Sequence, residues 1–476
     1  MAFFGIDEAQ ILERLRVENP WWVSNEIDTY YRAMDQRLYF PLFSALVQER
    51  SVNRAVVLMG PRRVGKTVMI FHTIQQLIEN GVDPQRIFYV SIETPILNGL
   101  GLEELFRLCR KAVNKSEELR DFFVFFDEVQ YLKEWEIHLK SIVDLYNGSK
   151  FIVSGSAAAA LKLKSNESGA GRFTDFTLPP LTFHEYIHLK KLDTLITSKE
   201  ASWEGIPYKT YSTIDINQLN QHFIDYINFG GYPEVSLSPT IQANPGRYIK
   251  GDIVDKVLLR DLPSLYGIQD IQELNALFTA IAFNTGNEFS YEKLAVTSGV
   301  SKNTIKKYLS YLEAAFLLRK VNRIDLSGKK FKRVNFFKIY LTNPSLRTAL
   351  FAPIGPTSAA IGNMVETAIY SQWFHRYWYT PFYARGKEGE VDIVGLNRKG
   401  LKPVWAVEIK WSDRFVNRPR ELKSLGLFLE RNKLSRGIVT SITVSSLLKV
   451  DDYELEFVPA ALYCYTVGKR TLEKTA

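Results

Sequence analysis

The chain has 476 residues, 46% hydrophobic and 24% charged, enough for about three domains with their own cores and too apolar for a disordered protein. Its apolar runs fall short of a bilayer span and its start, Met1-Ala2-Phe3-Phe4-Gly5-Ile6-Asp7-Glu8, lacks a basic n-region and a long apolar core, so the expectation is a cytoplasmic protein without a membrane anchor; Cys109 and Cys464 are too few for a disulfide framework or a cysteine zinc site. Lys+Arg against Asp+Glu stand at 25 to 30 over residues 1–244 and 35 to 22 over 245–476, so the net charge of +8 hides a basic C-terminal half suited to a polyanion, whether nucleic acid, acidic protein or membrane surface.

Residues 1–53 read as a helical lead-in, with Ile11, Leu12 and Leu15 at helical spacing. The run Ala55-Val56-Val57-Leu58-Met59 reads as a buried strand, and Gly60-Pro61-Arg62-Arg63-Val64-Gly65-Lys66-Thr67 directly after it fits G-x-x-x-x-G-K-[ST]. In that context the glycines let backbone N–H groups wrap phosphate oxygens, and the following helix turns its positive N-terminus toward them. Gly60 to Thr67, with Val68 behind them, are therefore expected to hold the triphosphate of ATP, Lys66 reaching the β/γ-phosphates and Thr67 holding Mg²⁺.

Apolar strands at 55–59, 87–92, 122–126 and 151–154 alternate with helical stretches at 66–80, 101–113 and 134–146, which predicts a parallel sheet covered by helices on both faces over 54–180. The third of these pieces, Phe122-Phe123-Val124-Phe125-Phe126-Asp127-Glu128, ends in two acids: Asp127 is expected in the Mg²⁺ shell, and Glu128 to polarise the attacking water. Phe151-Ile152-Val153-Ser154-Gly155-Ser156 ends in hydroxyls placed to sense a γ-phosphate. A Gly/Ser loop then leads to Arg172 and the Pro179-Pro180 break, and 181–286 reads as mostly helical, interrupted by Phe229-Gly230-Gly231-Tyr232-Pro233.

Over 287–342 two short helices flank Gly299-Val300-Ser301, with Ser301 as N-cap and Leu294, Ala295, Val300, Ile305 and Leu309 facing inward. A hairpin follows whose tip carries Lys329, Lys330, Lys332 and Arg333, so the segment reads as a winged helix-turn-helix, a form that serves protein contacts as well as DNA. Over 343–476 the acids Glu366 (in a helical stretch), Asp392 (in Gly389-Glu390-Val391-Asp392) and Glu408-Ile409-Lys410 (ending a strand) fall in an order that paired strands can gather. Asp392 and Glu408 would bind Mg²⁺ and Lys410 would orient or help deprotonate water, as phosphodiester hydrolysis requires; the alternative is charged residues on exposed strand ends. His184-Glu185-Tyr186-Ile187-His188 also fits H-E-x-x-H, a zinc-protease pattern, but no third ligand lies nearby, and an ordinary helix with two polar-face histidines is the simpler reading.

Together these motifs resemble a prokaryotic family of AAA-type P-loop ATPases with a C-terminal domain of unknown function related to the PD-(D/E)xK nuclease fold, over nearly the whole chain. Gly171-Arg172, Leu178-Pro179-Pro180-Leu181-Thr182-Phe183-His184-Glu185-Tyr186 and Gly230-Gly231-Tyr232-Pro233 carry the resemblance along with the motifs above. It implies that the Glu-Tyr after Leu-Thr-Phe belongs to the family pattern and needs no zinc, that Gly230 to Pro233 lie in a helical lid with Pro233 at the adenine, and that Arg172 stabilises γ-phosphate charge in cis or acts as a finger toward a neighbouring subunit. The expected architecture is α/β: a P-loop core (54–180), a lid and linker (181–286), a winged helix (287–342) and a restriction-endonuclease-like domain (343–476). The expected function is ATP-driven processing of DNA, branched or structured forms included, by a homo-oligomer such as a ring. The rival is an ATP-dependent sensor or scaffold whose nuclease-like fold binds nucleic acid or protein without cutting.

Overall fold

The structure is a computed structural model, and it describes residues 7–97, 99–155, 171–203, 206–329, 335–375, 379–397 and 402–473. Ser156 and the hairpin-tip residues Lys330, Lys332 and Arg333 lie outside the described residues. The chain divides into two compact units, Met1–Pro179 and Pro180–Ala476.

The first unit is built on five parallel strands, β1 (Ala55–Met59), β2 (Ile87–Ser91), β3 (Phe123–Asp127), β4 (Lys150–Gly155) and β5 (Phe173–Thr177), in the order β2-β3-β4-β1-β5. Strands β1 and β3 are buried along their whole length, as expected of a parallel sheet packed on both faces. The lead-in is part of this unit. Its Asn19 amide donates to Tyr89 O at 2.8 Å and accepts from Tyr89 N at 2.7 Å, while the indoles of Trp21 and Trp22 both donate to Ile87 O at 2.9 Å. These side chains satisfy backbone groups that β2, a sheet edge, would otherwise leave open.

The second unit takes in the segments expected as lid, winged helix and C-terminal domain. A hairpin, β6 (Ile196–Trp203) with β7 (Ile206–Thr213), stands apart from a nine-stranded mixed sheet. That sheet comprises β8 (Glu288–Ser290), β9 (Leu318–Ile324), β10 (Phe336–Leu341), β11 (Phe382–Gly386), β12 (Gly389–Leu396), β13 (Pro403–Glu408), β14 (Arg436–Ser441), β15 (Ser446–Val450) and β16 (Tyr453–Pro459), in the order β15-β16-β14-β13-β12-β11-β9-β10-β8. The hairpin β9/β10 therefore continues into the C-terminal strands through the parallel pair β9/β11. Along β12 and β13, Ile393 and Val407 join one core cluster with helices Ile361–Trp373 and Ala460–Glu473, whereas Val394 and Ala406 join another with helix Lys423–Asn432. Alternation of side chains along a strand thus gives the sheet a core on each face. Helices Tyr291–Ser298 and Lys302–Ala314 meet at Gly299, whose φ of +73° ends the first helix, and Ser301 caps the second through Thr304 N at 3.2 Å. Leu294, Val300, Ile305 and Leu309 are buried between them, and Ala295 is half-buried.

Candidate functional site

Strand β1 delivers the chain into the glycine loop, and the local backbone explains its residues. A Cβ on Gly60 would stand 2.2 Å from the Leu178 carbonyl oxygen, so only glycine passes, and Gly65, at φ +97°, precedes helix Lys66–Glu79 in a conformation that disfavours any side chain. Lys66 is buried, its Nζ donating to Gly60 O at 3.2 Å and Pro61 O at 3.0 Å. The Thr67 hydroxyl donates to Asp127 Oδ2 at 2.8 Å, which ties the loop to the end of β3.

Asp127 is held from several sides. Tyr89 Oη donates to its Oδ2 at 3.0 Å, Glu128 N to its Oδ1 at 3.1 Å, and the Ser154 hydroxyl also to Oδ1. Tyr89 was invisible to motif reasoning: it is one more aromatic on an apolar strand until the parallel register Tyr89↔Phe125 sets it beside the acid. Ser154 is completely buried, and its hydroxyl is engaged with Asp127 rather than facing an open site. Glu128 adopts φ +57°, and its carboxylate accepts from the Gln130 amide. Burial pushes its pKa up, with Asp127 adding to the rise and Lys66 opposing it.

Arg172 does not stand at its own loop. Its carbonyl accepts from Ala55 N at 2.9 Å, at the far end of β1 from Gly60, and its guanidinium pairs with Asp144 at 3.0 Å on the surface. The expectation of a cis contact to the γ-phosphate is corrected by that position. Pro233 opens the short helix Pro233–Leu237 in the second unit. The glycines before it have packing reasons: a Cβ on Gly230 would lie 2.0 Å from the Tyr226 ring, and one on Gly231 2.4 Å from Asn343 Oδ1.

In the second unit the acids on β12 and β13 are brought together. Ile393 pairs with Val407, so Asp392 and Glu408 fall side by side at one end of the ladder. Asp392 Oδ2 accepts from Ile409 N at 2.7 Å. Lys410 Nζ lies 2.6 Å from Glu408 Oε1 and 4.0 Å from Asp392 Oδ2. Burial raises the Glu408 pKa to about 8, with Asp392 adding and Lys410 opposing. Its Oε2 is buried without a hydrogen-bond partner.

Glu366, on helix Ile361–Trp373, meets Asp392 through Lys338. Its Oε1 accepts from Lys338 Nζ at 2.8 Å and from Tyr340 Oη at 2.5 Å, which engages it within the protein, and burial raises its pKa to about 7 against the pull of Lys338. Lys338 was not singled out from the sequence. It sits on β10, three spacings from β12 in the sheet order, about 14 Å if the sheet were flat. Its Nζ nevertheless lies 3.0 Å from Glu390 and 3.5 Å from Asp392. Burial alone would lower the pKa of Lys338, but Glu366, Asp392 and Glu390 override it and hold it well above its usual value.

The H-E-x-x-H helix has a structural use. Thr182 and Glu185 form a capping box at the start of helix Phe183–Leu189, His188 pairs with Asp193 at 3.1 Å, and His184 is buried edge-on to Tyr465. Among the described residues no group of three His, Cys, Asp or Glu is arranged to hold a metal ion. After the strand that ends in Glu408, Arg414 and Arg418 pair with Glu421 at 2.9 and 3.4 Å, and Arg420 with Asp451 at 3.2 Å. Among the described residues no helix is long and apolar enough to cross a membrane.

Residues 52–187 match the family model of the AAA domain. This stretch is an AAA-type P-loop ATPase domain. Residues 220–357 match a domain of unknown function, DUF8612, whose span crosses from the helices around Pro233 through the β9/β10 hairpin. An uncharacterized protein of Methanocaldococcus jannaschii is 25% identical over 423 residues, covering 86% of this chain and 87% of its own, and an uncharacterized protein of Haemophilus influenzae is 25% identical over 355 residues, covering 73% and 81%. The Aeropyrum pernix ORC1 protein in complex with DNA superposes at 11% identity over 69% of this chain and 95% of that chain, with a TM-score of 0.30, a likeness too slight to bear on function.

Proposed function

We propose that the AAA domain binds and hydrolyses ATP and that its nucleotide state governs a nucleic-acid-binding C-terminal unit. The observation that carries this is the joining of Thr67 to Asp127 at 2.8 Å, with Lys66 and Glu128 beside them. Thr67 and Asp127 would hold the Mg²⁺ that accompanies ATP; when bound, that ion supplies neutralisation of the phosphate charge. Lys66, whose Nζ donates to two loop carbonyls, would exchange these for phosphate oxygens, and Glu128, its pKa raised by burial, is suited to take a proton from water. Arg172, exposed at the start of β5, is available to a neighbouring subunit, which favours an oligomer. Lys66→Ala should abolish ATP binding, measured by a fluorescent analogue; binding at wild-type affinity would sink the assignment.

For the second unit, the two helices with the β9/β10 hairpin are read as a winged helix, and helix Ile361–Trp373, β11, β12, β13, helix Lys423–Asn432 and β14 as a nuclease-like core. Mg²⁺ is satisfied by one or two carboxylates with several waters, so Asp392 and Glu408, with the partnerless Glu408 Oε2, fit one ion even though no three-ligand group exists among the described residues. Such an ion would polarise a phosphodiester, and Lys410 would orient water. The rival, a scaffold that holds nucleic acid without cutting, is favoured by burial: the side chains of Asp392 and Glu408 are only 5% and 9% exposed. Incubating the protein with branched, single-stranded and duplex DNA in Mg²⁺ or Mn²⁺ separates the two. Cuts that vanish in Asp392→Asn support the nuclease, and no cut in any form supports the scaffold. Binding itself is tested by salt: each phosphate contact adds about 0.9 to the log–log slope of affinity against salt, so neutralising Lys329, Lys330, Lys332 and Arg333 should flatten it, and an unchanged slope would make the hairpin a packing or protein-contact element.

A further inference from the structure

Arg347, on helix Ser345–Phe351 of the second unit, is a buried cation without an anion beside it. The residue is 9% exposed, and among the described residues it forms no ion pair and no side-chain hydrogen bond. Its guanidinium carbon lies instead 5.6 Å from the ring centroid of Phe283 and 5.4 Å from that of Phe351, and the two centroids are 5.3 Å apart. A guanidinium is always charged, and a buried charge is ordinarily paired. Two phenyl rings offset part of the cost of burying it and leave its N–H donors unused.

The rings themselves are open, Phe283 being 58% and Phe351 36% exposed. Phe351 stands on a fixed turn: Ala352 after it is held at φ +134°, a conformation ordinarily left to glycine, and the buried Asn228 Oδ1 accepts from Thr348 Oγ1 at 3.1 Å and from Ile354 N at 2.9 Å on either side. A second cation is carried by a segment that packs on the same helix. A Cβ on Gly246 would stand 3.5 Å from Ala349 O, and the next residue, Arg247, is exposed, forms no ion pair among the described residues and lies over the Tyr248 ring at 5.8 Å. Open aromatic faces interleaved with arginines that lack anions suit a single-stranded nucleic acid, whose bases stack on the rings while its phosphates take the cations. An acidic peptide would match the arginines but bring no flat group to the phenyl faces.

We propose that Arg347, Phe283 and Phe351 form a binding site for single-stranded nucleic acid, with a base stacked on Phe283 and a phosphate accepting from the Arg347 guanidinium. This rests on reading the second unit as a nucleic-acid binder and adds a strand preference to it. In a duplex the bases are stacked on one another, so their faces are closed to the ring.

The test is fluorescence anisotropy of the full chain with a labelled oligothymidylate of about 16 nucleotides and with its duplex with oligoadenylate. Phe283→Ala, a change at an exposed ring, should weaken the single strand about tenfold at an unchanged salt slope and leave the duplex within about twofold. Arg347→Gln, shown folded by near-ultraviolet circular dichroism, should also weaken the single strand and lower its log–log salt slope by about 0.7, the share of one phosphate contact. If the wild type binds the single strand and Phe283→Ala binds it equally well, or loses as much affinity for the duplex, this proposal is overturned while nucleic-acid binding stands. Failure of the wild type to bind either form removes the reading of the second unit itself, and the proposal with it. Wild-type binding of labelled polyglutamate in preference to the single strand, abolished in Arg347→Gln, would overturn the proposal by assigning the arginine to an acidic protein partner.

Discussion

Removing the Lys338 ammonium should leave Glu366, Glu390 and Asp392 without the cation they share, with Arg385 still 3.6 Å from Glu390 and Lys410 4.0 Å from Asp392, and destabilise the second unit in a pH-dependent way. In Lys338→Met, Glu366 and Asp392 stay buried, while Glu390, a third exposed, can turn to water. Breaking a buried pair by deleting one partner costs about 3–5 kcal/mol, and the partial exposure of Glu390 points to the lower end, about 3 kcal/mol at neutral pH. The sign of the pH effect follows from Glu366, whose folded pKa of about 7 already exceeds that of an unfolded glutamate and rises further without the lysine. A raised carboxyl pKa disfavours the folded state as pH climbs from the unfolded toward the folded value, by at most about 1.4 kcal/mol per pH unit for each group. The deficit should therefore be smaller near pH 6 than near pH 8. Urea unfolding followed through the Trp373–Trp405 stack reads it out. A variant within about 1 kcal/mol of wild type at every pH, or a deficit that shrinks as pH rises, would refute the reasoning.

Two further perturbations follow from single placements. Burial lowers the pKa of His184 to about 3, so its neutral form favours folding above the unfolded pKa of about 6.5, and that contribution is lost as pH falls; His184→Leu should flatten the loss of stability between about pH 6.5 and 5, where one proton accounts for about 1.4 kcal/mol per unit, and an unchanged slope in urea titrations would contradict the assignment. Arg172→Ala should lose turnover but regain part of it when mixed with Lys66→Ala chains, since each supplies what the other lacks; mixtures no more active than the sum of their parts would place Arg172 outside any neighbour's site.

The parts of this chain that could be read in advance are those set by near neighbours. The glycine loop, its flanking strand and the apolar strand ending at Asp127 are local patterns, and the alternation of strands and helices over 54–180 is enough to predict the parallel sheet. The acids Asp392 and Glu408 were readable as a pair because adjacent strands of a hairpin ladder gather their ends. What escaped depends on register across distant strands. Lys338 reaches the cluster from a strand with β9 and β11 between it and β12, Tyr89 reaches Asp127 only through the β2/β3 pairing, and the continuation of the β9/β10 hairpin into the C-terminal strands rests on two paired residues, Tyr383 and Ala384. Arg172 misled for a related reason: nearness in sequence to the strand Phe151 to Gly155 says nothing of which end of the sheet it occupies, and the β1/β5 register puts it at the far one.

The account turns on Glu128 acting on water at a nucleotide held by Lys66 and Thr67, and the most direct measurement is the steady-state ATPase rate of Glu128→Gln alongside its ATP affinity. Loss of the proton acceptor with the loop intact should leave affinity within a few-fold of wild type and lower turnover by about 10² or more. Hydrolysis at the wild-type rate would show that Glu128 is not the group that acts on water.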